Sequence, residues 1–311
     1  MTAGIVSRSA SRRGRPRPAR GGAGQGDRLA ELHEQIVAGT AALVSSQGWE
    51  EMLQIVARMP QYSLRNVLLI ARQAPEASRV AGFRVWQGLG RQVRKGEKGI
   101  AILAPCTYRP LVSEQDAAAP SEDAAAGGQS PRRQIRGFRA VYVFDISQTE
   151  GEPLPEVGPV LLDGQAPPGL WDGLAAQITA HGYTVERGEC SGANGYTDPA
   201  TKIVRIRADV SDAQAVKTLA HELGHIECGH VQDLPTYRTC RGRCEVEAES
   251  VAYVLAAAHG LDAGSYTFGY VAGWSGGDVN KVRESGEQVV AAARRVLAAL
   301  GETSSDDAAV A

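Results

Sequence analysis

The chain has 311 residues, 43% of them hydrophobic, and its 33 Lys and Arg nearly balance 35 Asp and Glu for a formal net charge of −2. That length is enough for a sizeable core and predicts two domains. No apolar run approaches membrane-spanning length, the Arg-, Ser- and Pro-rich start lacks the apolar centre of a signal peptide, and five cysteines form no regular framework, so a cytoplasmic, reducing location is expected.

The charge is uneven. Residues 1–109 hold 17 Lys and Arg against 7 Asp and Glu, six of those cations in the first twenty positions, while the remainder is net acidic. A basic N-terminal half beside an acidic C-terminal half points to a polyanionic partner for the former.

In chain order, residues 1–26 have the composition of a disordered basic tail. From Asp27 to Ser46, Leu29, Leu32, Ile36, Leu43 and Val44 recur at helical spacing behind a capping aspartate. A second helix is predicted from Trp49 to Met59, ending at Pro60, and a third from Ser63 to the stop at Pro75. Phe83-Arg84-Val85-Trp86 then opens a glycine-interrupted stretch with the basic loop Arg91 to Lys98, followed by a buried strand at Ile100 to Leu103. Cations for a phosphate backbone, with Trp86, Phe83 and Tyr108 close by for bases to stack on, are the ingredients of a single-strand-binding surface; a solvated loop beside core aromatics is the competing reading.

Residues 112–133 are low in complexity and predict a flexible excursion, a long hairpin loop between Ile100 to Ala104 and the strand Arg139 to Asp145. Prolines at 153, 155, 159, 167 and 168 mark residues 152–169 as a linker between a first domain, 27–151, and a second, 170–301, closed by a helix from Glu287 to Leu300 before a polar tail, 302–311. In the second domain Gly182 to Glu186, Asn194 to Tyr196 and Thr201 to Arg207 read as strands. A sheet edge beside the helix that follows can accept an extended peptide, although ordinary core strands read the same way.

His221-Glu222-Leu223-Gly224-His225 spells HExxH, in a helix predicted by the run Asp212 to Ala220. Residues four apart share a helix face, so His221 and His225 can hold one Zn²⁺ while Glu222 stands beside it as a proton acceptor for water. A third ligand is required. The metzincin pattern is excluded, because Cys228 and Val231 stand where it needs Gly and His, and His230 is out of register by one. The helical segment Cys244 to Leu255 supplies carboxylates instead, with Glu245 and Glu247 both bordering its apolar stripe of Ala248, Val251, Ala252 and Leu255, and Glu249 pointing further round. Cys228, His230, Cys240 and Cys244, four Cys/His within seventeen positions, read either as a separate structural zinc site or as buried free thiols. Tyr253, His259, Tyr266 and Tyr270 are candidates for oxyanion stabilisation, with packing as the alternative role.

Two resemblances sharpen this. Glu247-Ala248 resembles the third-ligand helix of gluzincins, most closely metallopeptidases of the ImmA/IrrE type, which implies His221, His225 and Glu247 as ligands and Glu222 as the catalytic base. Residues Tyr62 to Ile70, Val80 to Trp86, Gly90 to Ile100 and Val143 to Gly151 are similar, as four motifs in order, to the N-terminal domain of ArdC-type antirestriction proteins. The resemblance implies an α+β chain: a single-stranded-DNA-binding module followed by a zincin-like metallopeptidase domain, its partners single-stranded DNA and a protein or peptide substrate, with no membrane. The DNA contacts implied are Arg65, Asn66, Arg91, Arg94, Lys95 and Lys98, with Tyr62 or Trp86 for stacking. A non-enzymatic DNA-binding protein with structural zinc is the alternative.

Overall fold

The computed structural model describes residues 22–108, 134–154, 164–232, 234–261 and 271–301. Residues 1–21 of the basic tail, the 112–133 excursion, half of the 152–169 linker, Tyr266, Tyr270 and the C-terminal tail fall outside them, whereas residues 22–26, expected as part of the disordered tail, are helical. The chain is α+β.

Three helices open it: α1 (Gly22–Ala42), α2 (Ser46–Arg58) and α3 (Leu64–Gln73). Helix α2 starts where Ser45 accepts a hydrogen bond from the Gly48 amide, a turn so tight that a Cβ on Gly48 would lie 2.3 Å from the Ala42 carbonyl oxygen. Then come β1 (Val80–Gly82), a one-and-a-half-turn helix α4 (Phe83–Gly88), β2 (Arg91–Val93), β3 (Ile100–Tyr108), β4 (Gln134–Asp145) and β5 (Thr149–Gly151). β3 and β4 pair antiparallel as expected, and β1 adds to the far side of β4, giving the order β1–β4–β3; β2 and β5 form a separate ribbon.

The outer edge of β3 is closed by side chains from α3. Asn66 exchanges two hydrogen bonds with the Leu103 backbone (3.0 and 2.9 Å), and Gln73 does the same with Ala101 (2.9 and 3.0 Å). Two amides thus occupy the donors and acceptors an edge strand would otherwise present to other chains.

The second half comprises α5 (Leu170–Ala180), a sheet of β6 (Thr184–Gly188), β8 (Ile203–Arg207) and β7 (Gly195–Asp198) in the order β6–β8–β7, then α6 (Asp212–Glu227), α7 (Leu234–Thr239), α8 (Arg241–Ala258), α9 (Val271–Ser275) and α10 (Val279–Ala299). The last helix begins eight residues before the predicted Glu287, because Asp278 caps it by accepting from the Asn280 and Lys281 amides. Ser211, one residue ahead of the acidic Asp212, caps α6 through the Gln214 amide.

One hydrophobic cluster runs through both halves. It joins Trp49, Leu53 and Val56 of α2 to Val251 and Leu255 of α8 and to Val289 and Val290 of α10. Helix α8 is consequently packed by α6 on one side, α2 on another and α10 on a third. No helix among the described residues is long and apolar enough to cross a membrane.

Candidate metal centre

The approach of α6 to α8 is set by Gly224, whose added Cβ would stand 2.9 Å from the Ala248 carbonyl oxygen and 3.0 Å from its Cα. Only a residue without a side chain lets the helices come this close. Within one turn of that contact, α6 presents His221 and His225 and α8 presents Glu245.

The two imidazole Nε2 atoms are 3.1 Å apart. Glu245 Oε2 lies 3.5 Å from His221 Nε2 and 3.7 Å from His225 Nε2. Tetrahedral coordination at zinc bond lengths separates neighbouring donors by about 3.3 Å. The donor set therefore fits a small divalent ion: two imidazole nitrogens and a carboxylate oxygen lie within tetrahedral donor spacing of one another, which would leave one position for a further ligand. Such groups otherwise repel or pair. Burial pulls the His221 pKa down, yet hydrogen bonds to Glu245 and Glu249 outweigh it and push the value up to about 10, while His221 and then His225 hold the Glu245 carboxyl far below its usual range.

Each candidate ligand is held from behind. His221 Nδ1 faces Glu249 Oε2 at 3.0 Å, and Tyr237 donates its hydroxyl to Glu245 Oε1 at 2.7 Å with its ring 5.7 Å from that of His225. Burial first, and then the bond to Glu245, pushes the Tyr237 pKa up to about 12. Glu222 is buried, and Thr197 of β7 donates to its Oε2 at 2.7 Å. Two clefts of about 420 and 330 Å³ open beside the centre; His221 and Glu222 line both, with Gly195 of the edge strand β7 between them.

The structure does not bring Glu247 to the histidine pair. Successive helical residues advance by about 100°, so Glu245 and Glu249 share a face and Glu247 projects from the far side of α8. There its Oε2 meets His230 Nε2 at 2.9 Å, and its Oε1 accepts from Ser285 at 2.6 Å and Arg243 at 2.7 Å. Burial raises its pKa, but His230, Ser285 and Arg243 outweigh that and leave it lowered. The apolar stripe misleads because α8 is buried nearly all round, so the ligand face cannot be read from hydrophobicity. The signal that marks it is the i, i+4 pair Glu245 and Glu249.

Cys228, His230, Cys240 and Cys244 do not converge. Cys240 is exposed at the start of α8, and the second metal-compatible grouping among the described residues is Cys228, His230 and Glu247. Of the oxyanion candidates, Tyr253 is buried and hydrogen-bonded to Gln54, and His259 packs its Nδ1 against the Leu255 carbonyl at the end of α8.

In the N-terminal half, Tyr62 (2% exposed) and Trp86 (0%) are core residues. Tyr62 donates to the Val80 carbonyl and Trp86 to that of Phe144. Neither ring is open to a base, and Asn66 is spent on the β3 edge. Arg91 bonds Thr149 and the Gly151 and Glu152 carbonyls, and Arg94 bonds Glu97 and the Ser147 carbonyl. Arg65, Lys95 and Lys98 are exposed and form no ion pair among the described residues. The large rings that do face solvent are Phe83, Phe138 and Tyr142.

Residues 27–144 match the family description "N-terminal domain of anti-restriction factor ArdC", and residues 179–262 match "IrrE N-terminal-like domain". A protein of Bacillus anthracis named only as uncharacterized is 23% identical over 261 residues, covering 73% of this chain; the chain spans 43% of that relative's length. Two crystal structures of the antirestriction protein ArdC from plasmid R388 are similar, one metal-free (20% identity, TM-score 0.44, covering 77% of this chain and 86% of that one) and one with Mn(II) bound (22%, 0.44, 77% and 85%).

Proposed function

For a chain that joins an ArdC-type N-terminal domain to an IrrE-type domain, we propose a single-stranded-DNA-binding protein whose C-terminal half is a zinc metallopeptidase. The observation that carries the enzymatic half is the convergence of His221 Nε2, His225 Nε2 and Glu245 Oε2 on one point beside buried Glu222. A zinc ion held there supplies Lewis acidity toward a water molecule and a peptide carbonyl.

The protein's own groups do the rest. Glu222 takes the proton from the attacking water and returns it to the departing amine. Thr197 fixes the orientation of that carboxylate, and because it sits on β7, an edge strand, the same element that positions the base can pair with an extended substrate. The substrate lies antiparallel or parallel along the outer edge of Gly195–Asp198, its scissile bond at the junction of the two clefts. Tyr237, reaching the centre from α7, donates its hydroxyl to Glu245 Oε1 and so orients the third ligand.

For DNA, exposed Lys95 and Lys98 in the β2–β3 loop, with Arg65, supply the phosphate contacts, and solvent-facing Phe83 and Tyr142 supply stacking surface. In the competing reading the ion only ties α6 to α8, and the open clefts beside it count against that.

Zinc-loaded protein incubated with an unfolded substrate such as casein, with and without a single-stranded oligonucleotide, tests the proposal. Cleavage that disappears in Glu222→Gln, with zinc content and DNA affinity unchanged, is the expected result. Identical cleavage by Glu222→Gln overturns the catalytic assignment, and absence of cleavage by the parent under both conditions favours the structural role.

A further inference from the structure

We propose that His230 and Glu247 are positioning residues for the metal ligand His225: together they fix its tautomer so that Nε2 faces the metal as a bare lone pair. The inference rests on the metal centre above and deepens it.

His225 Nδ1 and His230 Nδ1 are 3.0 Å apart, which is a hydrogen bond only if one of these nitrogens carries a proton and the other does not. The far end of the chain decides which. Glu247 Oε1 already accepts from Ser285 and Arg243, and its Oε2 lies 2.9 Å from His230 Nε2, so the carboxylate is an acceptor and His230 Nε2 is the donor. When His230 carries a single proton, Glu247 holds that proton on Nε2 and leaves Nδ1 bare. It must then accept from His225 Nδ1–H, and His225 keeps its lone pair on Nε2, the atom 3.1 Å from His221 Nε2. His225 (7% exposed), His230 (8%), Glu247 (3%) and Ser285 (0%) are all buried, so no bulk water competes for these bonds. His221 reaches the same result by a shorter route, with Glu249 as direct acceptor. Metal-bound histidines characteristically give their second N–H to a carboxylate or carbonyl; here that carboxylate acts through an intervening imidazole.

The same residues with Cys228 could instead be a second metal site. Arg243, a cation 2.7 Å from the carboxylate, and a thiol whose pKa is pushed up by burial both disfavour it.

Long-range ¹⁵N–¹H correlation spectra of the metal-free, full-length protein test the tautomers without any substitution. We expect His225 as the Nδ1–H form and His230 as the Nε2–H form; His225 found as Nε2–H overturns the proposal. Zinc titrations against a chromophoric chelator supply the second readout. His230→Phe should weaken zinc about 10- to 100-fold, the range for outer-sphere partners, and His230→Asn, whose carbonyl oxygen can stand where Nδ1 stood, should recover most of the loss. Stoichiometry should stay at one ion per chain throughout. Parent-like affinity in His230→Phe, or two ions in the parent falling to one in that variant, contradicts the relay. A parent that binds no zinc sinks the centre itself, and the tautomer spectra still decide the relay separately.

Discussion

Trp49 Nε1 donates to Ser250 Oγ at 2.8 Å, a buried hydrogen bond across 201 positions of sequence. Ser250 directly follows Glu249 on the helix that carries Glu245, the proposed third ligand, so the N-terminal half braces the candidate metal centre. Trp49→Phe should cost about 1–3 kcal/mol, from the lost bond and the space the indole leaves. Because the core is continuous through α2, α8 and α10, far-ultraviolet dichroism and tryptophan fluorescence should report one coincident thermal transition. Two separated transitions would contradict this coupling.

Two carboxylates of α8, Glu245 and Glu249, should separate by role. Glu249→Ala should weaken divalent-metal binding about 10- to 100-fold, as expected for a partner that orients a ligand, and Glu245→Ala should weaken it more than that. Competition titration checks the order; a larger loss in Glu249→Ala would make Glu249 the ligand and Glu245 its support.

Much of this was legible in the sequence, and the failures have physical causes. HExxH spacing fixed the face of α6 because a 3.6-residue period leaves little choice, and the β3–β4 hairpin followed from two apolar runs flanking a low-complexity stretch. Glu247 was misplaced because α8 has neighbours on three sides, so its apolar stripe names no single inner face. Trp86 and Tyr62 looked like stacking residues because aromatic rings near basic loops serve either role; the buried carbonyl partners that decide the matter, on Phe144 and Val80, lie 58 and 18 residues away. His230 looked like a register error in a metzincin motif, and its partner Glu247 becomes visible only once α8 is laid against α6.

On the DNA side, Lys95→Ala and Lys98→Ala should lower affinity for a labelled single-stranded oligonucleotide uniformly across sequences. Each should reduce the slope of log affinity against log salt by roughly 0.7, the single-strand value per phosphate contact. Tyr62→Phe should leave DNA affinity unchanged while lowering stability by about 1 kcal/mol. Anisotropy titrations between low and moderate salt discriminate these, and an unchanged slope in both lysine variants would remove the β2–β3 loop from the interface.

Asp145 gives the fold a pH dependence. Its Oδ1 accepts from the Ser78 and Arg79 amides (2.9 and 3.1 Å) and its Oδ2 from Ser147 (2.9 Å), so although burial opposes it, these bonds leave the pKa lowered. A folded value below the unfolded one, about 3.9, means the stabilisation is present above pH ~4 and fades as pH falls through the folded pKa. Asp145→Asn should therefore be less stable than the parent by about 1–3 kcal/mol at pH 7, with the gap closing in acid. A gap that is the same at pH 3 and pH 7 in denaturant titrations would exclude the carboxylate as its source.

One divalent ion is proposed to be held by two histidines of α6 and a glutamate of α8. Elemental analysis of protein equilibrated with micromolar zinc and desalted tests it most directly. One zinc per chain in the parent and in Glu222→Gln, and loss of that zinc in His221→Ala, His225→Ala and Glu245→Ala, is the predicted result. A parent that retains no metal, or a Glu245→Ala variant that retains it undiminished, would contradict the centre described here.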